Sequence, residues 1–315
     1  MLAARAIERR RSRRVVAWLV VLTLGGCSGG APGNRPPSFL PYDGSVPDTP
    51  DAGVAYPAQR VLFIGNSFTR FNNLPQMYER LVLEARVRIP TLEVEAATDG
   101  SKWLIDHERD ARDEGSHLSQ ALASPEGWTE VVIQAQSQNP TFPHDGPDFT
   151  GAAQAAEYLS GRAKEAGARV AFFMTWGYRD GDSLNPGISP DYETMQRRLE
   201  DGYRTFAERV RADGVEAIVV PVGLAFEAIY DEESAGGGDP LAEGSLFRAL
   251  YGADGRHPSV AGTYLAALVF AGTFFPDVDL TKIEYEPSGL PRDSGSRLRA
   301  AAQRTLAADR ERTGE

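Results

Sequence analysis

The sequence has few of the residues that bind metals or form disulfides. It contains one cysteine, Cys27, and four histidines, which are His107, His117, His144 and His257. No cysteine–histidine group has the spacing of a zinc site, so we expect neither a structural nor a catalytic zinc ion. A single cysteine also leaves no partner for an intramolecular disulfide.

Outside the first residues of the chain, positive charges are outnumbered by negative ones and form no basic tract. The formal net charge is −11, and the first 26 residues carry six Arg and one Glu, which leaves −16 on the remainder. An acidic chain whose body has no basic tract is a poor nucleic-acid binder, and it would repel a polyanionic substrate. Hydrophobic residues make up 42% of the 315, enough for one large α/β domain with a sizeable core.

The apolar run near the N-terminus, Val15 to Leu24, is shorter than the roughly 20 residues that a transmembrane helix requires. It follows a basic segment and ends in Leu24-Gly25-Gly26-Cys27, a pattern typical of a signal peptide. The last four residues resemble the lipobox of bacterial lipoproteins, in which the cysteine is lipidated. We therefore predict a signal peptide and lipobox over residues 1–27. An ordinary secretory signal with a chance cysteine is the alternative.

A lipid on Cys27 would tether the chain to a membrane of the bacterial cell envelope. The residue after it is Ser28 rather than Asp, which by the same resemblance favours the outer membrane. Residues 28–59 are rich in Gly, Pro, Ser and Asp and have no periodicity, so they cannot bury enough apolar surface to fold. We predict a flexible linker over this range and a folded domain over residues 60–311.

From residue 60 onward, short apolar runs alternate with amphipathic stretches. Strands are predicted at 61–64, 91–97, 131–133, 169–174 and 215–222, and helices at 74–85, 149–168, 192–212, 260–275 and 293–311. This alternation predicts an α/β fold, a three-layer α/β/α sandwich around a central parallel sheet of about five strands. In such open sheets, ligands bind outside the carboxyl ends of the strands.

Two short stretches carry candidate catalytic residues. The first strand ends in Gly65-Asn66-Ser67, which puts Ser67 at the carboxyl edge of the sheet, where it could act as a nucleophile or merely cap a helix. Near the C-terminus, Asp254 and His257 lie three residues apart, just before the last core helix. This spacing lets the carboxylate orient the imidazole while its other nitrogen accepts a proton from a serine. Together the stretches predict a Ser67–His257–Asp254 triad.

The same stretches resemble blocks I and V of the SGNH (GDSL-type) hydrolases. Gly65-Asn66-Ser67 is a variant of Gly-Asp-Ser, and Asp254 to His257 matches Asp-x-x-His. The resemblance covers roughly residues 60–275 and is greatest to a bacterial subgroup near the sialate-O-acetylesterase-like carbohydrate esterases. It implies a flavodoxin-like strand order. It also implies a serine esterase that removes an acetyl or other short acyl group, with a glycan as the expected substrate and no metal or organic cofactor. The predicted signal peptide adds the expectation that this esterase is exported.

The resemblance also implies an oxyanion hole. The block II glycine corresponds to Gly100, whose backbone N–H would act together with that of Ser67. The chain departs from the family at block III, because it has no Gly-x-Asn-Asp; instead Gln134-Ala135-Gln136 follows the third strand, similar to the Gln-Gly-Glu string of the carbohydrate esterases. A Gln carboxamide can donate to an oxyanion as Asn does. Gln134 is therefore the expected third donor, with Gln136 as second choice.

Aromatic residues follow the fourth predicted strand at the same edge of the sheet. Trp176 and Tyr178 could form a rim on which a sugar stacks, and core packing is the alternative for Trp176. His107 lies on a predicted helix after Gly100, and we expect it to be structural. Two other functions stay open: a lipase or thioesterase that acts on longer acyl chains, and a catalytically inactive, surface-tethered carbohydrate-binding protein.

Overall fold

The structure is a computed structural model that describes residues 55–314. The predicted signal peptide, Cys27 and most of the predicted linker lie outside the described residues. Within the described range, no helix has both the length and the apolar character needed to cross a membrane.

A single sheet of five parallel strands forms the centre of the described domain. The strands are β1 (Gln59–Gly65), β2 (Leu92–Thr98), β3 (Glu130–Ile133), β4 (Arg169–Phe173) and β5 (Ala217–Val220). Their order in the sheet is β2-β1-β3-β4-β5, and every neighbouring pair is parallel. This is the flavodoxin-like order, so the predicted fold class and strand order are confirmed.

Helices cover both faces of the sheet. They are α1 (Ser67–Arg70), α2 (Leu74–Glu84), α3 (Leu104–Arg112), α4 (His117–Leu122), α5 (Pro147–Glu165), α6 (Tyr192–Ala212), α7 (Val222–Ala235), α8 (Leu246–Ala249), α9 (Val260–Phe274) and α10 (Ser294–Thr313). Helix α9 contacts α2, α7 and α10, while α5 contacts α3 and α6. The sandwich therefore has the three layers that the sequence predicted.

The apolar runs of the sequence form the middle of this sandwich. Val61, Leu62, Phe63 and Ile64 of β1 are all fully buried, as expected for a strand whose two faces are both covered by helices. Helix α9 is buried on nearly every side, which explains its continuous apolar sequence. The core thus fixes the strand ends that carry the candidate site.

The folded domain begins earlier than the sequence predicted. The backbone N–H of Tyr56 donates to the carbonyl of Arg88 at 2.9 Å, and the Tyr56 ring packs edge-on against Phe275 at 4.9 Å. The sequence places residues 55–59 in the linker because they lack periodicity, yet these contacts attach them to the domain. At the other end, α10 continues to Thr313, two residues past the predicted boundary.

Candidate active site

The turn after β1 places Ser67 at the carboxyl edge of the sheet. Asn66 is the N-cap of α1, and its Oδ1 accepts a hydrogen bond from the backbone N–H of Phe68 at 3.1 Å. Its Nδ2 donates to the carbonyl of Lys102 at 3.0 Å, in the loop between β2 and α3. Asn66 therefore holds the turn of Ser67 against the neighbouring loop, while Ser67 itself begins the helix.

Glycine at position 65 is required by close packing beneath this turn. A Cβ atom added there would lie 2.5 Å from Oγ1 of Thr69 and 2.7 Å from Oε1 of Gln134. Both neighbours are buried, so neither could move aside without disturbing the turn. The glycine thus allows the chain to pass tightly from β1 into α1.

His107 supports the same turn from the other side. Its side chain is buried, and its Nε2 donates to the carbonyl of Gly65 at 2.9 Å. Burial, together with the charge of Lys102, lowers the pKa of His107 to about 4, so the ring is neutral at pH 7. This placement agrees with the structural role expected for His107.

A second turn, just before α9, carries Asp254 and His257. The backbone N–H of Gly252 donates to the carbonyl of His257 at 2.7 Å, which closes the turn. Oδ1 of Asp254 accepts the backbone N–H groups of Arg256 and His257, both at 3.0 Å. These bonds fix the carboxylate independently of the imidazole that it contacts.

Ser67, His257 and Asp254 form one hydrogen-bonded chain. The hydroxyl of Ser67 lies 2.8 Å from Nε2 of His257, and Nδ1 of His257 lies 2.6 Å from Oδ2 of Asp254. With an ionised carboxylate, Nδ1 carries the proton and Nε2 is left to accept the serine proton. The structure thus brings together the three residues that the sequence singled out; their catalytic roles stay a prediction.

The electrostatics of the turn keep Asp254 ionised. Burial raises the pKa of this carboxyl, but the hydrogen bonds from the His257 ring and from the backbone N–H groups of Arg256 and His257 outweigh burial and hold the pKa below its usual value. An ionised Asp254 can stabilise the positive charge that His257 would acquire as a base.

Two backbone N–H groups are available beside Ser67. Gly65 pairs with Thr98 in the β1–β2 register, so Gly100, two residues after Thr98, lies at the same edge as Ser67. In the part of the chain that the structure describes, the N–H groups of Ser67 and Gly100 make no hydrogen bond. Both are therefore free to donate to a ligand, as the predicted oxyanion hole requires.

The structure contradicts the choice of Gln134 as third oxyanion donor. This side chain is buried, with 1% exposure, and its Oε1 accepts the N–H of Asn66 at 2.8 Å and the hydroxyl of Thr69 at 3.0 Å. Its Nε2 donates to the carbonyl of Ala135. Both ends of the Gln134 amide therefore bond to other residues of the protein. The side chain supports the Ser67 turn from beneath and does not face a substrate.

The second choice, Gln136, is half-buried and keeps part of its side chain accessible. Its Nε2 donates to Oε1 of Gln138 at 3.1 Å, and its Oε1 accepts the backbone N–H of Gln138 at 2.7 Å. Gln138 in turn donates to Asp182 at 2.7 Å, which ties this loop to the one after β4. Because an amide has two N–H groups, Gln136 retains a donor, and its role stays a prediction.

The predicted aromatic rim is also wrong. Trp176 is fully buried, stacked on Phe226 at 4.4 Å and on Phe68 at 5.2 Å. Tyr178 is 4% exposed, and its hydroxyl shares a hydrogen bond of 2.6 Å with Ser137. Neither ring can stack on a sugar, because both form the floor beneath α1.

Other aromatic side chains are exposed at this edge, and the sequence analysis missed them. Phe71 is 42% exposed and stacks on the His257 ring at 4.2 Å. Trp103 is 38% exposed and follows Lys102, whose carbonyl binds Asn66. Their position in the sequence could have identified them, because each lies within a few residues of a segment that carries the site.

Across residues 55–314, no group of three or more His, Cys, Asp or Glu side chains is arranged to hold a metal ion.

A parallel α/β sandwich whose carboxyl edge joins Ser, His and Asp in one hydrogen-bonded chain has the site geometry of a serine hydrolase. The fold and site therefore define the general class before any relative is considered.

Comparison with known proteins narrows this class to a family. A structure of a protein from Slackia heliotrinireducens, assigned as an SGNH hydrolase, is 31% identical, with a TM-score of 0.52, over 69% of this chain and 99% of that one. The chain belongs to the SGNH hydrolases, and this membership supports a hydrolase that acts on esters.

A second solved structure supports the fold alone. It is a DUF4886 family protein from Bacteroides uniformis, with a TM-score of 0.62 at 17% identity, over 80% of this chain and 96% of that one. No protein-family model matches the chain, and no curated protein matches it. The substrate therefore has to be argued from the site.

Proposed function

We propose that this protein is an exported serine esterase that hydrolyses an acetyl or other short acyl ester, with a carbohydrate as the alcohol. The observation that carries the proposal is the hydrogen-bonded chain Asp254–His257–Ser67, with distances of 2.6 and 2.8 Å. Such a chain removes the serine proton during attack, which is what ester hydrolysis through an acyl-enzyme needs.

In the proposed reaction, Oγ of Ser67 attacks the ester carbonyl while Nε2 of His257 takes the hydroxyl proton. The negative charge on the carbonyl oxygen faces the backbone N–H groups of Ser67 and Gly100, with the Gln136 amide as the candidate third donor. The tetrahedral intermediate collapses, and His257 returns the proton to the leaving alcohol. Water then attacks the acyl-enzyme with His257 again as base, which releases the carboxylic acid and restores Ser67.

Ser67 is half-buried at the carboxyl edge of the sheet. Three of the cavities in the described domain, of about 460, 530 and 210 Å³, are lined by residues other than Ser67, Asp254 and His257. None of these three could hold a long acyl chain beside the nucleophile. A short acyl group with a bulky alcohol that stays outside does not need such a cavity.

Export and anchoring rest on the sequence alone. The proposed lipid on Cys27 would hold the enzyme at the cell envelope, through a linker that begins at Ser28. Cys27→Ala should abolish incorporation of labelled palmitate and move the protein into the aqueous phase of a detergent partition. A wild-type protein that takes up no label and already partitions into water would refute the anchor without affecting the esterase proposal.

The catalytic test uses variants of the hydrogen-bonded chain. Ser67→Ala and His257→Ala should each abolish hydrolysis of nitrophenyl acetate, and Asp254→Asn should lower kcat by up to about 10⁴-fold. His117→Ala is a matched control, because this exposed histidine pairs with Glu95 and makes no contact with the triad. Full turnover in His257→Ala would refute the assignment.

The open alternatives are separated by substrate and probe. Nitrophenyl esters of increasing chain length should be hydrolysed best at two to four carbons, and a preference for long chains would indicate a lipase or thioesterase. A fluorophosphonate should label Ser67 in the wild type but not in Ser67→Ala, and failure to label would favour a catalytically inactive binding protein. Acetate release from a panel of acetylated glycans, measured with the soluble domain, would then identify the sugar.

A further inference from the structure

Two phenylalanine rings pack against the imidazole of His257. Phe71 stacks on one side, with the ring centres 4.2 Å apart and an angle of 16° between the planes. Phe68 lies 5.3 Å from the same imidazole at an angle of 48°. Phe68 is almost fully buried, but Phe71 is 42% exposed, so burial alone does not account for its position.

The segment that carries Phe71 is tied to the histidine turn by a side chain. Nδ2 of Asn72 donates to the carbonyl of Pro258 at 3.0 Å and to the hydroxyl of Thr263 at 2.9 Å. Pro258 directly follows His257, and Thr263 lies in the first turn of α9. Asn72 thus connects the segment after Ser67 to the segment after His257, across 186 residues of sequence.

The backbone of this segment is held in an unusual conformation. Asn72 has φ of 50° and Asn73 has φ of 57°, both in the left-handed region. This region is costly for residues other than glycine, although Asn tolerates it better than most. The conformation directs the chain away from α1 immediately after Phe71, and the two hydrogen bonds of Asn72 stabilise it there.

The hydrogen bonds of His257 hold the ring at its edge. Nδ1 is bonded to Asp254 and Nε2 to Ser67, and both atoms leave the plane of these bonds when the ring turns about Cβ–Cγ. The Phe71 ring, stacked on the imidazole, opposes this rotation. Phe71 therefore adds to the restraint that Asp254 and Ser67 place on the ring plane.

We infer that Phe71 and Asn72 are positioning residues for His257: Phe71 holds the plane of the imidazole, and Asn72 fixes the histidine turn relative to the helix that begins with Ser67. This inference rests on the proposed function, in which His257 is the base. A base held within a few tenths of an ångström of its productive position reacts faster, since a misplacement of about 1 Å can cost 10²-fold in rate.

The experiment compares four variants of the full-length protein on nitrophenyl acetate. Phe71→Ala should lower kcat by about 10- to 100-fold with KM changed less than about twofold, because the base is misplaced while the substrate contacts remain. Phe71→Tyr keeps the stacked ring and should retain kcat within about twofold. Asn72→Gly accommodates the left-handed backbone but loses both hydrogen bonds, and we expect about a 10-fold loss of kcat.

Asn73→Gly is the matched control for Asn72→Gly. Asn73 is the next residue, it has the same left-handed backbone, and its Nδ2 donates to Gln76 instead of to the histidine turn. It should keep wild-type kcat. Equal losses in the two variants would mean that the backbone of the segment matters and the link through Asn72 does not, which would overturn its positioning role.

Two readouts without substrate separate this inference from the proposed function. One is the rate at which a fluorophosphonate labels Ser67; the other is the low-field proton resonance of the hydrogen bond between His257 Nδ1 and Asp254. Phe71→Ala should slow labelling about 10-fold or more and should shift or broaden the resonance. If the wild type is not labelled, the esterase proposal fails, and the resonance alone decides the positioning role.

The inference is overturned if Phe71→Ala labels at the wild-type rate with an unchanged resonance. It is also overturned if Phe71→Ala raises KM while kcat stays constant, because Phe71 would then contact the substrate and not hold the base. Thermal unfolding of each variant checks that any loss of rate occurs in a folded protein.

Discussion

Gln134 provides a sharp test of how the site is built, because two roles for this residue lead to opposite results. As an oxyanion donor it would affect kcat and leave stability unchanged. As the buried support described above, it accepts hydrogen bonds from the backbone of Asn66 and the hydroxyl of Thr69. Gln134→Ala removes both acceptor contacts and leaves a cavity beneath Ser67.

The size of the effect follows from the burial of the two donors. Asn66 is 3% exposed and Thr69 is fully buried, so water cannot easily replace the missing acceptor. A buried polar group left without a partner costs about 1–3 kcal/mol, so two such groups cost about 2–6 kcal/mol before the cavity is counted. That is a large part of a typical free energy of unfolding of about 5–15 kcal/mol.

Urea unfolding and steady-state kinetics on the same samples provide the assay. Gln134→Ala should lower the unfolding midpoint strongly, and Gln134→Met, which fills most of the volume without the hydrogen bonds, should recover only the cavity contribution. Gln136→Ala is the control, since this half-buried side chain bonds only within its own loop. It should change the free energy of unfolding by less than about 0.5 kcal/mol.

The kinetic result completes the comparison. If Gln136 is the third oxyanion donor, Gln136→Ala should lower kcat by roughly 10²-fold with an unchanged unfolding midpoint. The reasoning about Gln134 would be refuted if Gln134→Ala and Gln134→Met unfolded at the wild-type urea concentration and still lost 10²-fold in kcat. The amide of Gln134 would then reach the reacting carbonyl.

Two further predictions concern the pH dependence of stability. Burial lowers the pKa of His107 to about 4, so from pH 6.5 down to 4 the unfolded chain binds a proton that the folded chain does not. The wild type should lose about 3 kcal/mol of unfolding free energy between pH 7 and pH 4 because of this group, and His107→Gln should not show that loss. Urea unfolding of both proteins at pH 7 and at pH 4 measures the difference. Burial, with the nearby charge of Asp231, instead raises the pKa of Glu227 from 4.5 to about 7, so the unfolded chain releases this proton before the folded chain does, and stability falls as the pH rises from about 4.5 through 7. Glu227→Gln should raise the urea midpoint at pH 8 and leave it nearly unchanged at pH 4, below the pKa of the unfolded chain; the opposite order would contradict the burial argument.

The sequence predicted those parts of the structure that depend on local pattern. Val61 to Ile64 is a continuous apolar run too short for a helix and followed by a turn glycine, which is typical of a strand covered on both faces in an α/β fold. The spacing of Asp254 and His257 likewise fixes their contact locally, because both lie in one short turn. The strand order could be predicted only from the family resemblance, because apolar runs do not indicate which strands are neighbours in the sheet.

The sequence did not predict which way side chains point once a strand has ended. Gln134 and Trp176 both follow strands at the carboxyl edge, which is where ligands bind, yet both turn into the protein. The N–H of Gln134 still donates to the carbonyl of Ile64, so the ladder continues and directs its side chain beneath the neighbouring turn. The contact between Phe71 and His257 could not be predicted for a related reason: the two residues are distant in sequence, and no local pattern connects them.

The two departures from the family motifs are physically connected in this chain. An Asp in the middle of Gly-Asp-Ser can only accept hydrogen bonds when ionised, whereas Asn66 both accepts from Phe68 and donates to the carbonyl of Lys102. That donation links the Ser67 turn to the loop that carries Gly100, the other residue whose backbone N–H is proposed for the oxyanion. Gln134, at the place of the absent block III motif, holds the same turn from beneath. Since side-chain amides hold the turn and the loop that carry the proposed backbone donors, we expect the proposed oxyanion hole to depend less on a block III side chain than the family pattern implies.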